Sequence, residues 1–118
     1  GYPLASVVGV YAIKTLLEQN LAKNARIRGA QLMGHFEDLK NEFPNKIKDI
    51  RGKGLLTAFE MHDEKKLDGH KVSTELLKNG IYAKETHHST VRIAPALTVE
   101  AWHIDQMAEG IRNVISKL

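Results

Sequence analysis

Leu21, Ala25, Gly29, Leu32, Phe36, Leu39 and Phe43 follow one another at alternating steps of four and three. That spacing returns to the same side of a helix turn after turn, so it predicts one long helix with a single buried line. Lys23, Asn24, Arg26, Gln31, Glu37, Asp38 and Lys40 fall away from that line. Asn20 is placed to cap its start, and Pro44 closes it. Gly29 lies on the buried line, where a missing Cβ would let a second backbone approach closely. A helix with one apolar stripe must bury it against another layer, and the rest of the chain has to provide that layer.

The residues after Pro44 read as that layer. Ile47 to Arg51 is a short strand, Gly52 and Gly54 permit a bend or bulge, and Leu55 to Met61 form a second, mostly apolar strand. His62 to Leu67 is a charged loop. Asp68 caps a short helix with Val72, Leu76 and Leu77 turned inward, and Gly80 stops it. Ile81 to Lys84 is a third strand. A last helix, capped by Thr98 with Glu100 in its first turn, packs through Ile104, Met107, Ala108, Ile111, Val114, Ile115 and Leu118. Trp102 lies near its start. Upstream of the long helix, Pro3 opens another, in which Leu4, Val7, Val8, Tyr11, Ala12 and Leu16 repeat at helical spacing. Val10, Ile13 and Leu17 widen its apolar face beyond what one small domain can cover. The order is helix, helix, strand, strand, helix, strand, strand, helix. Without regular βαβ alternation, the expected fold is α+β: a small, largely antiparallel sheet of about four strands with helices on one face.

The fourth strand carries the sharpest functional signal. Within Thr86 to Leu97, Val91, Arg92 and Ile93 alternate apolar, charged, apolar, and Pro95 ends the run. If Val91 and Ile93 enter the core, Arg92 projects from the opposite face. A guanidinium there offers a planar fork that matches a carboxylate with two parallel hydrogen bonds. An arginine on a solvated strand face is the competing reading, and Arg92 alone does not decide between them.

Other chemistries find little support. The chain of 118 residues has no cysteine, which excludes disulfides, thiolate metal sites and a cysteine nucleophile. Its 17 Lys and Arg against 14 Asp and Glu are scattered, so the net charge of +3 implies no nucleic-acid partner. The tightest basic group, Lys46, Lys48, Arg51 and Lys53, is interrupted by Asp49 and lacks an aromatic platform. No apolar run is long enough to span a membrane. Gly52-Lys53-Gly54 lacks the third glycine and following helix of a dinucleotide loop, and the spacing of a phosphate loop. His87 and His88 are adjacent, so on an extended segment they diverge and cannot chelate one ion, and no His-x-x-x-His occurs. Ser89 reads as a turn residue, with no nucleophile-elbow pattern around it.

Several stretches together resemble the C-terminal part of class III (subgroup II) pyridoxal-phosphate aminotransferases, and within them the ornithine aminotransferases. Gly1-Tyr2-Pro3-Leu4-Ala5-Ser6 is similar to the family's Gly-Asn-Pro-Leu-Ala, with Tyr2 departing from Asn. Asn20-Leu21-Ala22-Lys23-Asn24-Ala25 resembles its Asn-Leu-Ala-Glu-Asn-Ala. Ile50-Arg51-Gly52-Lys53-Gly54-Leu55 resembles Val-Arg-Gly-Lys-Gly-Leu, and Asn79-Gly80-Ile81-Tyr82-Ala83-Lys84 resembles Asn-Gly-Leu-Leu-Ala-Lys. Thr86-His87, then Val91-Arg92-Ile93-Ala94-Pro95-Ala96-Leu97, is similar to Thr-His, then Ile-Arg-Phe-Ala-Pro-Pro-Leu. The likeness runs the length of the chain, in order and in spacing.

The resemblance implies a domain division: residues 1–43 as linking helices from a large domain, and 44–118 as the C-terminal small domain of a fold-type I enzyme. It implies that Arg92 is the small-domain arginine that binds an α-carboxylate. It implies a homodimeric parent that uses pyridoxal phosphate to move the δ-amino group of ornithine to 2-oxoglutarate, giving glutamate semialdehyde and glutamate, in the cytoplasm or a mitochondrial matrix. The resemblance also implies that the family's Schiff-base lysine, the aspartate for the pyridine nitrogen, the phosphate-binding residues and the glutamate that gates the arginine have no counterparts in this stretch. No catalytic, cofactor-binding or metal-ligating residue is therefore expected here, and the chain alone is expected to be inactive. Acetylornithine or another ω-amino acid is the alternative donor. A non-enzymatic α+β ligand- or protein-binding module is the alternative of another class.

Overall fold

The computed structural model describes residues 3–62, 68–87 and 89–118, with side chains from residue 9 onward. Asp63 to Leu67 of the expected charged loop, His88, and the side chains of Leu4, Val7 and Val8 lie outside that description. The elements run α1 (Pro3–Glu18), α2 (Leu21–Glu42), β1 (Ile47–Lys53), β2 (Leu56–Met61), α3 (Gly69–Lys78), β3 (Lys84–Thr86), β4 (Thr90–Ile93) and α4 (Ala101–Ser116). Every strand pairing is antiparallel, in the order β1-β2-β4-β3. The expected α+β layer is present.

The buried line of α2 holds as read. Leu21, Gly29, Leu32, Phe36 and Leu39 are buried, and the last three share one core with Phe59, Met61, Val91 and Ile93 of the sheet and Ile104, Ile111 and Ile115 of α4. Phe36 meets Phe59 edge to face, with ring centroids 5.5 Å apart. Thr57, the one buried hydroxyl of β2, donates to the Ile93 carbonyl at 2.6 Å. These contacts all lie on one side of the sheet.

Gly29 has the role its position on the stripe predicts. The β1–β2 hairpin turns through Gly54, whose φ of +57° is natural for glycine in a two-residue turn. The tip of that turn rests on α2 at Gly29. A Cβ at Gly29 would stand 2.2 Å from the Gly54 carbonyl oxygen. Of the bend or bulge that Gly52 and Gly54 permit, the chain takes the bend at Gly54, and the register shifts between Ile47 and Asp49 instead.

Several boundaries differ from expectation. Asn20 does not cap α2 with its side chain; it turns the backbone through φ 52°, and its carbonyl accepts from Asn24 N–H at 3.2 Å. The third strand starts at Lys84 rather than Ile81. The end of α3 explains this: Gly80 N–H bonds to the Leu77 carbonyl and Ile81 N–H to the Leu76 carbonyl, a Schellman closure that consumes Ile81. Asp68 does cap α3, its carboxylate accepting from Lys71 N–H at 2.7 Å. Leu77 is exposed, because Val72 and Leu76 alone define the inward side of that short helix. The cap of α4 is Glu100, not Thr98; its N–H donates to His103 Nδ1 at 3.1 Å, and its carboxylate accepts from Trp102 Nε1 at 2.7 Å. Trp102 thus finds its partner within its own helix start.

On α1, Val10, Tyr11, Ile13 and Leu17 remain exposed, Leu17 by 77%. The broad apolar face read from the sequence is real, and nothing among the described residues covers it.

Replacing Gly29 with alanine drives a methyl into backbone that cannot swing aside. Urea unfolding should show the protein destabilised by about 1–3 kcal/mol, whereas Gly34→Ala, on open space one and a half turns away, should be neutral or mildly stabilising.

Candidate functional site

The candidate site is the side of the sheet that the helices leave bare. Val91 and Ile93 are buried, and Arg92 between them is exposed on the other face, as the alternation requires. Arg92 pairs with Ala58 on β2 and Lys84 on β3, and Ala58 pairs in turn with Arg51 on β1. Cross-strand partners share a face. Arg51, Ala58, Arg92 and Lys84 therefore form one row across all four strands, with Asp49, Glu60, Thr90 and Thr86 as the next row.

The cations of this row have different fates. Arg51 Nη1 donates to Glu60 Oε2 at 3.1 Å and to Asp49 Oδ2 at 3.3 Å, while Nη2 donates to Thr90 Oγ1 at 3.4 Å. Lys48 Nζ adds a contact to Glu60 at 3.9 Å. Arg51 is thereby neutralised and ties β1, β2 and β4 together. Arg92 and Lys84 make no ion pair among the described residues. Ala58 places only a methyl group between the two arginines. A free guanidinium with so small a neighbour can receive a flat oxyanion through two parallel hydrogen bonds.

The turn that delivers β4 is compact. Thr86 pairs with Thr90, and the three-residue connection begins at His87 with φ 51°, a left-handed conformation uncommon outside glycine. Ser89 N–H donates to the His87 carbonyl at 2.7 Å, and the Ser89 carbonyl accepts from Met61 N–H at 2.8 Å. Ser89 is the turn residue the sequence implies.

The described histidines are dispersed. His35 Nε2 lies 2.8 Å from Asp105 Oδ1, His70 Nδ1 3.2 Å from Glu85 Oε1, and His62 Nε2 3.0 Å from the Pro44 carbonyl. Among the described residues, no group of three or more His, Asp or Glu side chains could hold a metal ion. The basic group of residues 46–53 is likewise broken up: Lys46 Nζ donates to the Ile115 carbonyl at 2.9 Å, and Lys48 and Arg51 face Glu60. It forms no continuous anionic-polymer surface. No helix among the described residues is long and apolar enough to cross a membrane.

Sequence reasoning found Arg92 but missed the row around it. The signal was present: a two-residue turn at Gly54-Leu55 fixes the β1–β2 register and sets Glu60 beside Asp49 and Arg51. Lys84 was assigned to the third strand, yet its opposition to Arg92 depends on the β3–β4 register. The expected strand ended at Lys84, two residues short of Thr86, which left the length of the turn and hence the register unset.

A groove of about 340 Å³ between α2 and α4, floored by Phe36, Leu39 and Ile111, lies on the covered side of the sheet, away from Arg92. Two contacts clasp its helices. His35 and then Gln31, both bonded to Asp105, hold its carboxyl below the usual aspartate value. Arg112, bonded to Glu42, lowers that carboxyl and has its own pKa raised.

The described residues thus combine a small antiparallel sheet, helices on one of its faces, an arginine without an ion pair on the other, and a preceding helix whose apolar side is exposed. The chain belongs to the class-III aminotransferase family, whose model matches residues 1–115. It is similar to the mitochondrial ornithine aminotransferase of Arabidopsis thaliana, at 29% identity over 117 residues, covering 98% of this chain and 25% of that protein. Among solved structures it is similar to acetylornithine aminotransferase from Elizabethkingia anophelis, with a TM-score of 0.91 and 27% identity over 98% of this chain and 29% of that one. It is also similar to an ornithine aminotransferase of Plasmodium yoelii, with a TM-score of 0.85 and 30% identity over 98% and 30% of the two chains. The chain thus spans roughly a quarter to a third of the length of these relatives.

Class-III aminotransferases use pyridoxal phosphate, which needs a lysine amine, an acid for its ring nitrogen and donors for its phosphate. The described residues do not fit that requirement. Neither the α2–α4 groove nor the depression of about 660 Å³ beside Ile93, Ala94 and Pro95 contains a lysine, and in the smaller depression between α3 and β3, which includes Lys84, the acid Glu85 is paired with His70. The half-buried amine of Lys46 is spent on a backbone carbonyl.

The α2–α4 clasp should be acid-labile. Folded Asp105 and Glu42 titrate lower than when unfolded, so their contribution is present above the unfolded carboxylate range and is lost as pH falls through the folded values. Thermal melts taken from pH 6 down through about pH 4 and below should show Asp105→Asn with a shallower acid-side decline than the unmodified protein.

Proposed function

We propose that this chain is the C-terminal small domain of an ornithine aminotransferase, in which Arg92 grips the α-carboxylate of the 2-oxo acid. One observation carries the reading. Of the two arginines on the bare face of the sheet, Arg51 is neutralised by Asp49 and Glu60, and Arg92 has no such partner among the described residues. The family membership and the likeness to ornithine aminotransferases from two organisms support the reaction class.

In this reading residues 1–43 are the linking helices and 44–118 the small domain. The exposed apolar side of α1 docks on the large domain, and α2 carries the attachment into the core through Leu32, Phe36 and Leu39. The large domain supplies pyridoxal phosphate, the electron sink for transamination, together with the lysine that anchors it. The substrates are ornithine and 2-oxoglutarate, the products glutamate semialdehyde and glutamate, and the working unit is a homodimer. The chain by itself is inactive.

The task of Arg92 is one of selection. A free guanidinium attracts the carboxylate of the acceptor and orients its keto carbon, which a point charge would do less well. It would also attract the α-carboxylate of ornithine and present the wrong amine, so a carboxylate from the large domain has to neutralise it while the donor reacts.

Arg92→Ala in the full-length enzyme should slow the single-turnover reaction with 2-oxoglutarate about 100-fold or more, the scale of truncating one member of a charge pair. The half-reaction with the donor should change far less. Equal rates with 2-oxoglutarate in the two proteins would sink the assignment.

The likeness to an acetylornithine aminotransferase at a TM-score of 0.91 keeps a second donor in view. Specificity constants for ornithine and N-acetylornithine separate the two: ornithine should be preferred by at least about tenfold, and the reverse order would move the protein to the other branch. A free-standing α+β binding module accounts for neither the bare apolar helix nor the family match.

A further inference from the structure

We propose that Lys84 is a second carboxylate-binding group, sharing with Arg92 the anion that the bare sheet face receives. This rests on the reading of Arg92 given above and extends it to the charge selectivity of the site.

The argument begins with register. Lys84 is the direct cross-strand partner of Arg92, so their Cβ atoms stand about 5 Å apart on one face. The neighbouring residue fixes which face that is. Glu85 reaches across to His70 of α3 at 3.2 Å, on the helix side, so Lys84 points to the bare side with Arg92. Both side chains are exposed.

Two like charges directly opposite each other in an antiparallel pair repel, and sheets ordinarily avoid the arrangement or insert a counter-ion. The other end of the same row shows such neutralisation. There Arg51 is flanked by Asp49 and Glu60, with Lys48 close by. Among the described residues no carboxylate performs that service for Arg92 and Lys84. The anions of this face are gathered at its β1–β2 end, and two unneutralised cations are gathered at its β4–β3 end. A local conflict of this kind marks a place where the counter-ion comes from outside the domain.

The two cations are suited to different parts of the task. Arg92 lies on an inner strand and offers a planar fork for bidentate contact. Lys84 lies on the edge strand β3, where a flexible stem can bring a compact charge onto a ligand already held. A site with two positive charges favours a doubly anionic 2-oxo acid over an amino donor that carries a cationic group at each end. Lys84 is thus a specificity residue for the acceptor rather than a participant in chemistry.

The test uses the full-length enzyme with 2-oxoglutarate as acceptor and ornithine as donor. Lys84→Gln should raise KM for 2-oxoglutarate about tenfold, the scale of one charge-assisted hydrogen bond, with kcat and the KM for ornithine unchanged. Lys84→Arg should restore most of the loss. The KM for 2-oxoglutarate should also depend less on salt in Lys84→Gln than in the unmodified enzyme. If Lys84→Gln leaves that KM unchanged while Arg92→Lys raises it, the inference about Lys84 is overturned and the reading of Arg92 stands. If neither substitution moves it, the carboxylate reading itself fails. A parallel rise in both KM values with a lowered melting temperature would show a structural role and would also overturn the proposal.

Discussion

Phe36 of α2 meets Phe59 of β2 edge to face, within a core that also takes Leu32, Leu39, Met61, Val91 and Ile93. This contact decides which side of a four-stranded sheet is sealed. In an antiparallel sheet each residue's face follows from its neighbour's. Once Phe59 and Val91 turn toward α2, Ala58 and Arg92 turn away from it. The exposure of the guanidinium is therefore a consequence of packing on the far side. The seal is tightened where the Gly54 turn rests on Gly29, because only a residue without a Cβ lets the helix come that near.

On the bare face, charge is distributed unevenly, and that unevenness carries the functional argument. Arg51 and Arg92 are separated by one alanine and have the same chemistry. Asp49 and Glu60 satisfy the first, and none among the described residues satisfies the second. A neutralised arginine and a free one are thus told apart by which carboxylates the register brings alongside. The apolar side chains left uncovered on α1 tell a parallel story in hydrophobic terms. The relatives that this chain matches are three to four times as long.

The elements that were legible in the sequence are those whose signal is periodic. The α2 stripe, the inward residues of α4 and the Val91-Arg92-Ile93 alternation each repeat their pattern several times or are bounded by a proline. Helix starts and strand ends were less legible. Thr98 and Glu100 are both plausible caps, and the choice fell to Glu100 because His103 and Trp102 lie within its reach. Ile81 reads as strand by composition, but the Schellman closure of α3 had first claim on its N–H. Leu77 looks like core beside Leu76, yet ten residues of helix present only a narrow face to the sheet.

By itself the sequence determined the layer architecture, the identity of the buried stripes, the side from which Arg92 would leave the sheet, and the family the motifs resemble. These depend on local periodicity and on short-range turn chemistry, which are written in consecutive residues. Only the tertiary structure decided that β4 would lie beside β2, and that Arg92 would therefore share a row with Ala58 and Arg51 yet be left without a carboxylate among the described residues. Those facts depend on which strands become neighbours and in what register. They are set by long-range closure of the core, which no single stretch of the chain contains.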